Sequence, residues 1–440
     1  MIVLAGRNLA KMEAAKAELD ELGVESHLCK TDIADRAQVQ ALAAFAASLG
    51  VDMIITDHHS CRPVLPQAAA VVNPHRPDSA YPFRQLAGVG VVFKLLCALE
   101  GDTEAVCRRF ADLVAIGTIA DVMPLTDENR LIASVGLERL RRTENVGLRA
   151  LMTHAGVIRP GGVQKRITSS TVGYVLAPRM NAAGRIASAS RAVELLLCRD
   201  ERQADAIAAE LCEVNKIRQQ TEQAIYEQAE EQIRLYGKDA SAYVLADDGW
   251  HQGVIGVVAS KITEKYSLPS ILFSFDGDVA KGSGRSIKGL SLMDALAHCS
   301  DLLIEYGGHE LAAGLSVERG KLDAFRRRFC EYVGERLRTV ERTPPIEADC
   351  CAHFDELDLR TAEELRLLEP FGLQNPVPTF LLEEVTLAEM IPLSDGRHPP
   401  ARDRRPPYRQ RGLFRDVAER ISRVRRRKMR SALHAGRERI

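Results

Sequence analysis

The chain has 440 residues, of which 46% are hydrophobic and 27% charged, with a net charge of −1. It is too long for one ordinary domain and has the balance of a soluble globular protein able to bury several cores. Wholly disordered, collagenous and membrane-spanning classes are excluded, the last because no apolar run approaches the roughly 20 residues that cross a bilayer. Ten scattered cysteines without a Cys-x-x-Cys pair point to reduced thiols and a cytoplasmic setting, not to a zinc ribbon or disulfide scaffold. Arg7 and Lys11 interrupt any signal-peptide core. The near-neutral total hides an asymmetry, since residues 397–440 carry 16 Lys/Arg against 4 Asp/Glu. Such a tail can bind polyanions.

In chain order, Ile2 to Ala5 reads as a short buried strand, residues 9–22 as a helix, and Ser26 to Lys30 as a second strand. Asp32 to Leu49 form another helix and Met53 to Thr56 a third strand. Strands alternating with helices predict an α/β domain with a parallel sheet. Asp57-His58-His59 follows the third strand at its carboxyl end, where open α/β sheets bind ligands. An apolar helix is expected near 90–100. Residues 201–236, without Gly or Pro and rich in Ala, Glu and Gln, predict one long helix joining two domains. A second α/β unit follows to about 335, with strands at 242–246 and 270–275. From Pro344 to about Pro392 the pattern is β-like with Pro-rich turns, and beyond it four prolines among arginines predict disorder.

Several groups of residues have the chemistry of a site. Imidazoles and carboxylates ligate Mn²⁺ or Zn²⁺, and Asp57, His58 and His59 can face one site from one turn; a polar loop is the plainer reading. Asp121, a lone acid after the apolar run Val114–Ala120, is either a ligand or a helix N-cap. Arg179, Asn181 and Arg185, set among small residues, suit a phosphate chain or a solvated loop equally. Gly282-Ser283-Gly284-Arg285-Ser286 and Gly307-Gly308-His309 combine close backbone approach with groups suited to phosphate oxygens, although Gly-rich turns are common.

Taken in order, these motifs resemble the DHH phosphoesterase superfamily and, within it, the RecJ family of single-strand-specific exonucleases. The resemblance is carried by Ile54–His59, Val72-Asn73-Pro74-His75-Arg76-Pro77, Leu86-Ala87-Gly88-Val89-Gly90, Gly117–Val122 and Arg179–Arg185. Asp248-Gly249-Trp250-His251, Gly307–Gly314 and Glu369-Pro370-Phe371-Gly372-Leu373-Gln374-Asn375-Pro376 complete it. It implies His58 and Asp121 as metal ligands, Asp57 as a ligand or orienting acid, and His59 as the contact to the scissile phosphate. Ser283, Arg285 and His309, with the Arg179–Arg185 segment, are implied as phosphate-holding residues. It further implies an OB-fold near 345–395 that grips single strands. The activity implied is 5′→3′ hydrolysis to mononucleotides in DNA repair and recombination, with two Mn²⁺ or Mg²⁺ ions about 4 Å apart. Single-stranded DNA is the implied substrate, a single-strand-binding protein and a helicase the implied partners, and no membrane is involved.

Two regions depart from the family pattern. Residues 1–50 lack its Asp-rich N-terminal motif, and the first strand ends in Ala5-Gly6-Arg7-Asn8 without a carboxylate. Val3–Asn8 and Thr31–Asp35 instead resemble a short-chain dehydrogenase fragment, without that fold's Gly-rich turn or its Tyr-x-x-x-Lys pair. Asp32, at a strand end 25 residues before Asp57, stands where a missing bridging aspartate would lie and is a candidate replacement ligand. The Arg/Pro-rich end resembles no part of the family. The expected plan is a non-family segment (1–50), a DHH domain (51–200), a connecting helix (201–236), a DHHA1 domain (237–335), a partial OB-fold (344–396) and a basic tail (397–440). The leading expectation is a RecJ-type exonuclease weakened by an incomplete metal site. Behind it come a non-catalytic single-strand binder, a DHH enzyme for short oligonucleotides and, last, a dehydrogenase.

Overall fold

The structure is a computed structural model that describes residues 2–6, 9–21, 23, 25–31, 36–50, 54–61, 64–66, 68–159, 161–162, 166–186, 189–235, 240–338, 347–353, 356–383, 389–390, 401–402 and 431–434. The chain divides into two compact units, Met1–Leu140 with Pro370–Asn375, and Arg141–Glu369 with Pro376–Ile440.

The first unit runs β1 (Ile2–Gly6), α1 (Leu9–Glu21), β2 (Ser26–Lys30), α2 (Arg36–Ser48), β3 (Ile54–Thr56), β4 (Ala70–Val72), α3 (Gly88–Glu100), α4 (Thr103–Ala120) and α5 (Asp127–Leu140). The expected parallel pairing is present, in two ladders. Ile2 lies opposite Ser26 in β1–β2, and Ile54 opposite Ala70 in β3–β4. Helix α4 starts at Asp102, whose carboxylate accepts the Ala105 amide at 2.9 Å. Phe93, Val106 and Val114 form a buried cluster between α3 and α4. Glycines let the helices approach closely: a Cβ on Gly117 would meet Val89 Cγ1 at 2.7 Å, and one on Gly136 would strike the Ala111 carbonyl.

The second unit opens with α6 (Val146–His154) and α7 (Ser169–Thr171), then a π-helical turn at Val172–Leu176. It continues through α8 (Ala177–Ile186), α9 (Ser190–Leu197) and α10 (Glu201–Arg234). The long helix forms as its composition predicts, begun by Asp200, whose side chain accepts the Gln203 amide at 2.7 Å. It packs on α6, α8 and α9, and its Ile225, Ala229 and Ile233 enter the core of the sheet that follows. The expected boundaries at 200 and 236 therefore fall inside this unit.

That sheet comprises β5 (Tyr243–Asp247), β6 (Ser270–Asp276), β7 (Val279–Arg285), β8 (Leu303–His309) and β9 (Ala312–Glu318), with α11 (Gln252–Tyr266), α12 (Leu292–His298) and α13 (Leu322–Arg336). The strand order is β5-β6-β7-β9-β8, parallel between β5 and β6 and antiparallel elsewhere. Phe273, Phe325 and Phe329 anchor its core, ring centroids 5.8 and 5.6 Å apart.

Beyond α13 come β10 (Cys350–Cys351), α14 (Leu359–Leu365), β11 (Thr379–Leu382), β12 (Glu389–Met390), β13 (Ala401–Arg402) and β14 (Ser431–His434). The β-like reading of this region holds for its ends and not for its middle. Asp358 caps α14 by accepting the Thr361 amide at 2.7 Å, and a 3₁₀ turn at Arg366–Leu368 extends it. Within the Arg/Pro-rich end, Ser431–His434 pairs antiparallel with β11. Among the described residues no helix is long and apolar enough to cross a membrane.

Candidate active site

Strand β3 delivers Asp57 to the start of a loop, where its amide bonds the Val72 carbonyl at 3.1 Å. One carboxylate oxygen, Oδ1, then organises the tripeptide. It accepts the amides of His58 at 2.7 Å and His59 at 3.2 Å, and lies 2.8 Å from His59 Nδ1. An ionised carboxylate only accepts, so Nδ1 carries the proton and Nε2 is left facing outward. Burial pushes the Asp57 carboxyl up, but the bonds from the His59 side chain and the two backbone amides outweigh it and hold the group below the ordinary carboxylate range. Asn73, nearly fully buried, fastens the loop from behind: its Nδ2 donates to the His59 carbonyl at 2.9 Å and its Oδ1 accepts the His75 amide at 2.8 Å. Sequence reasoning assigned Asn73 no role; the Asn-Pro pair, a turn signature, was the available signal.

The His58 ring lies beside that of His59, centroids 4.2 Å apart. Its Nε2 lies 3.6 Å from Oδ2 of Asp121, and its ring sits at the first turn of α3, where a Cβ on Gly88 would come within 3.4 Å of Cδ2. Ala87 gives that helix no side-chain cap. Asp121 is a helix cap, but at the carboxyl end of α4 and not at an amino end. Amides of Val122 and Met123 bond the carbonyls of Ile119 and Thr118 at 3.1 and 3.2 Å, the reciprocal pattern that closes a helix through a left-handed residue. That residue is Val122, with φ of 55°. A β-branched side chain rarely adopts this conformation, and such strain concentrates at functional loops.

A separation of 3.6 Å between His58 Nε2 and Asp121 Oδ2 is too long for a hydrogen bond. It is close to the spacing of two ligands on one ion bound at about 2.1 Å each. An imidazole and a half-exposed carboxylate suit Mn²⁺, and Mg²⁺ commonly takes one or two carboxylates, keeping water for the rest. The pair therefore fits one divalent ion. Among the described residues no group of three His, Cys, Asp or Glu side chains could hold a metal, and Asp32 lies outside the described residues.

The second unit presents a different cluster. Strand register places Arg285, Ala312 and His309 side by side across β7, β9 and β8, with Ser283, Gly314 and Gly307 in the next row. Ser283, Arg285 and His309 thus share a face. Arg285 donates from Nε to Ser260 Oγ at 3.2 Å, and from Nη1 to Ser283 Oγ at 3.2 Å and the Gly284 carbonyl at 2.7 Å. Gly256 of α11 makes room, since a Cβ there would meet Ser283 Oγ at 2.8 Å. Arg185 donates to the Gly253 carbonyl at 3.1 Å. Among the described residues neither arginine is paired with a carboxylate. Burial, and then repulsion from Arg185, lowers the Arg285 guanidinium from its ordinary value. Two unneutralised cations beside the first turn of α11 make an anion-seeking surface.

The Arg179–Arg185 segment is the helix α8, not a loop. Asn181 and Arg185, four apart, share a helical face. Arg179 turns to its own helix and donates to the Val175 carbonyl in the π turn at 2.6 Å. Arg185 lies near enough to Arg285 to repel its charge, while Arg179 bonds within its own helical run.

Comparison with known proteins agrees with this layout. The DHH family N-terminal domain profile matches residues 9–118, reaching into the segment read as foreign to the family; the DHHA1 domain profile matches 239–335 and the RecJ OB domain profile 348–400. A crystal structure of exonuclease RecJ bound to manganese is 30% identical, with a TM-score of 0.60, and the match covers 78% of this chain and 93% of that one. This chain belongs to the RecJ family. RecJ of Thermus thermophilus, solved with Mn²⁺, superposes with a TM-score of 0.73 at 31% identity over 91% of this chain and 62% of that one. The curated RecJ exonucleases of Bacillus subtilis and Escherichia coli are 42% and 36% identical over 79% and 76% of this chain. The chain spans 44% and 61% of their respective lengths.

Proposed function

We propose that the chain is a 5′→3′ exonuclease that hydrolyses single-stranded DNA to mononucleotides with Mn²⁺ or Mg²⁺, acting in the cytoplasm in DNA repair and recombination. The observation that carries this reading is the facing pair His58 and Asp121, with His59 oriented beside them by Asp57. His58 and Asp121 would hold the ion, which supplies charge stabilisation at the phosphate and at the leaving oxygen. Asp57 accepts from Nδ1–H of His59 and fixes its ring, and Nε2 donates to a phosphate oxygen when it too carries a proton. The uncapped first turn of α3 favours the same negative charge. Ser283, Arg285, His309 and Arg185 hold phosphates of the strand, with Asn181 on the same helical face as Arg185. Asp32 is proposed as a further ligand. A single-strand-binding protein and a helicase are the proposed partners.

A second reading is single-strand binding without cleavage, supported by the Arg185–Arg285 cluster, which can hold phosphates without a metal. Release of mononucleotides from 5′-labelled single-stranded DNA with Mn²⁺ decides between them. Release that His58→Ala abolishes supports the exonuclease; salt-sensitive binding without release supports the binder.

A further inference from the structure

The strained loop after Asp121 ends on a contact from a segment about 250 residues away in sequence. The Leu125 amide donates to the Leu373 carbonyl at 2.8 Å, and a Cβ on Gly372 would meet Leu125 Cδ1 at 2.7 Å and Cγ at 3.0 Å. Gly372 through Asn375 is a tight hairpin turn. The Gly372 amide bonds the Asn375 carbonyl at 2.8 Å, the reverse bond is 3.2 Å, and Gln374 takes a φ of 59°. Asn375 Nδ2 ties the base of the turn to the Pro370 carbonyl at 2.8 Å. Leu125 is almost fully buried, and buried Asn129 donates to the Pro124 carbonyl at 3.1 Å. The five residues from Asp121 to Leu125 are thus pinned at one end by the closure of α4 and at the other by this hairpin. Val122 lies between the two pins in a conformation that persists only where the surroundings over-determine it.

We propose that the Gly372–Asn375 hairpin is a positioning device for Asp121, holding its carboxylate at the distance from His58 that a divalent ion requires. This rests on the reading of His58 and Asp121 as metal ligands. The glycine is required because only a residue without Cβ lets the turn close on Leu125. An added methyl group would push Leu125, and with it the short loop that carries Asp121.

The test is Mn²⁺ binding by calorimetry on the full chain, without DNA. Gly372→Ala is expected to weaken Mn²⁺ about 10-fold, the lower end of what lost support around a ligand costs, while His58→Ala removes binding. Adding Leu125→Ala to Gly372→Ala, which leaves only a Cβ 3.8 Å away, is expected to restore most of the affinity. Should Gly372→Ala fail to fold, Asn375→Ala frees the turn without adding an atom and is expected to give a smaller loss. Wild-type affinity in folded Gly372→Ala, or in Asn375→Ala, would overturn the proposal and leave the hairpin a purely structural element. Equal affinity in wild type and His58→Ala would instead remove the metal assignment, and the positioning role with it.

Discussion

Nδ1 of His59 lies 2.8 Å from Oδ1 of Asp57, the same oxygen that accepts the backbone amides of His58 and His59. One carboxylate thereby sets both the turn and the imidazole tautomer, while His58 is left free to face Asp121. The two adjacent imidazoles differ in partner: His59 is held by Asp57, and His58 faces Asp121 at the end of α4.

Asp57→Asn keeps the shape of the loop but replaces an acceptor-only group by one that can donate. Tautomer control of His59 is lost, and the rate of nucleotide release is expected to fall about 10²–10⁴-fold, as when a histidine loses its orienting acid. Single-turnover kinetics at saturating DNA checks it. A fall in binding with unchanged turnover would show that Asp57 acts only on the strand.

Val122→Gly removes a β-branched side chain from the left-handed position that closes α4. Relief of about 1 kcal/mol is expected, seen as a melting transition raised by roughly 2–4 °C. An unchanged or lowered transition would mean that the exposed Val122 side chain makes contacts worth more than its strain.

Glu230 on α10 lies 2.7 Å from Lys265 Nζ and 2.9 Å from the Tyr266 hydroxyl, both on α11. Burial pushes this carboxyl up, yet the bonds from Lys265, Tyr266 and Tyr226 hold it below its usual 4.5. A depressed folded-state value contributes stability that is fully present above pH 4.5 and is lost as pH falls through the folded value. Glu230→Gln is expected to cost about 1–2 kcal/mol at pH 7, with the difference from wild type closing in acid. Melting curves at pH 7 and below 4 test it, and a gap independent of pH would assign the cost to packing.

The site was legible where chemistry is local. A strand ending in Asp57-His58-His59 and a lone acid at Asp121 are residue types that burial alone does not explain, and composition alone exposed the long α10. What periodicity could not show is tertiary. His58 meets Asp121 because α3 and α4 cross closely where Gly117 faces Val89, and neither residue advertises that contact. Arg179 and Arg185 look equivalent as a string, but six positions along a helix turn them about 240° apart. Only Arg185 therefore reaches the Gly253 carbonyl. Gly372 reads as an ordinary turn glycine until Leu125 is placed against it.

Arg285 supplies the sharpest test of the second cluster. Its guanidinium is fixed by Ser260, Ser283 and the Gly284 carbonyl and lacks a carboxylate partner among the described residues, so its charge is available to a phosphate. Arg285→Ala is expected to weaken single-strand binding and to reduce the slope of log K against log salt by about 0.7, the value for one phosphate contact to a single strand. Arg285→Lys keeps the charge but not the planar fork, so the slope should stay near wild type while affinity falls about 10-fold. Fluorescence anisotropy with labelled single-stranded DNA over a range of salt separates the two variants. If the alanine variant kept the wild-type slope, Arg285 would be a structural brace between β7 and α11, and the phosphate contact would fall to Arg185 and His309.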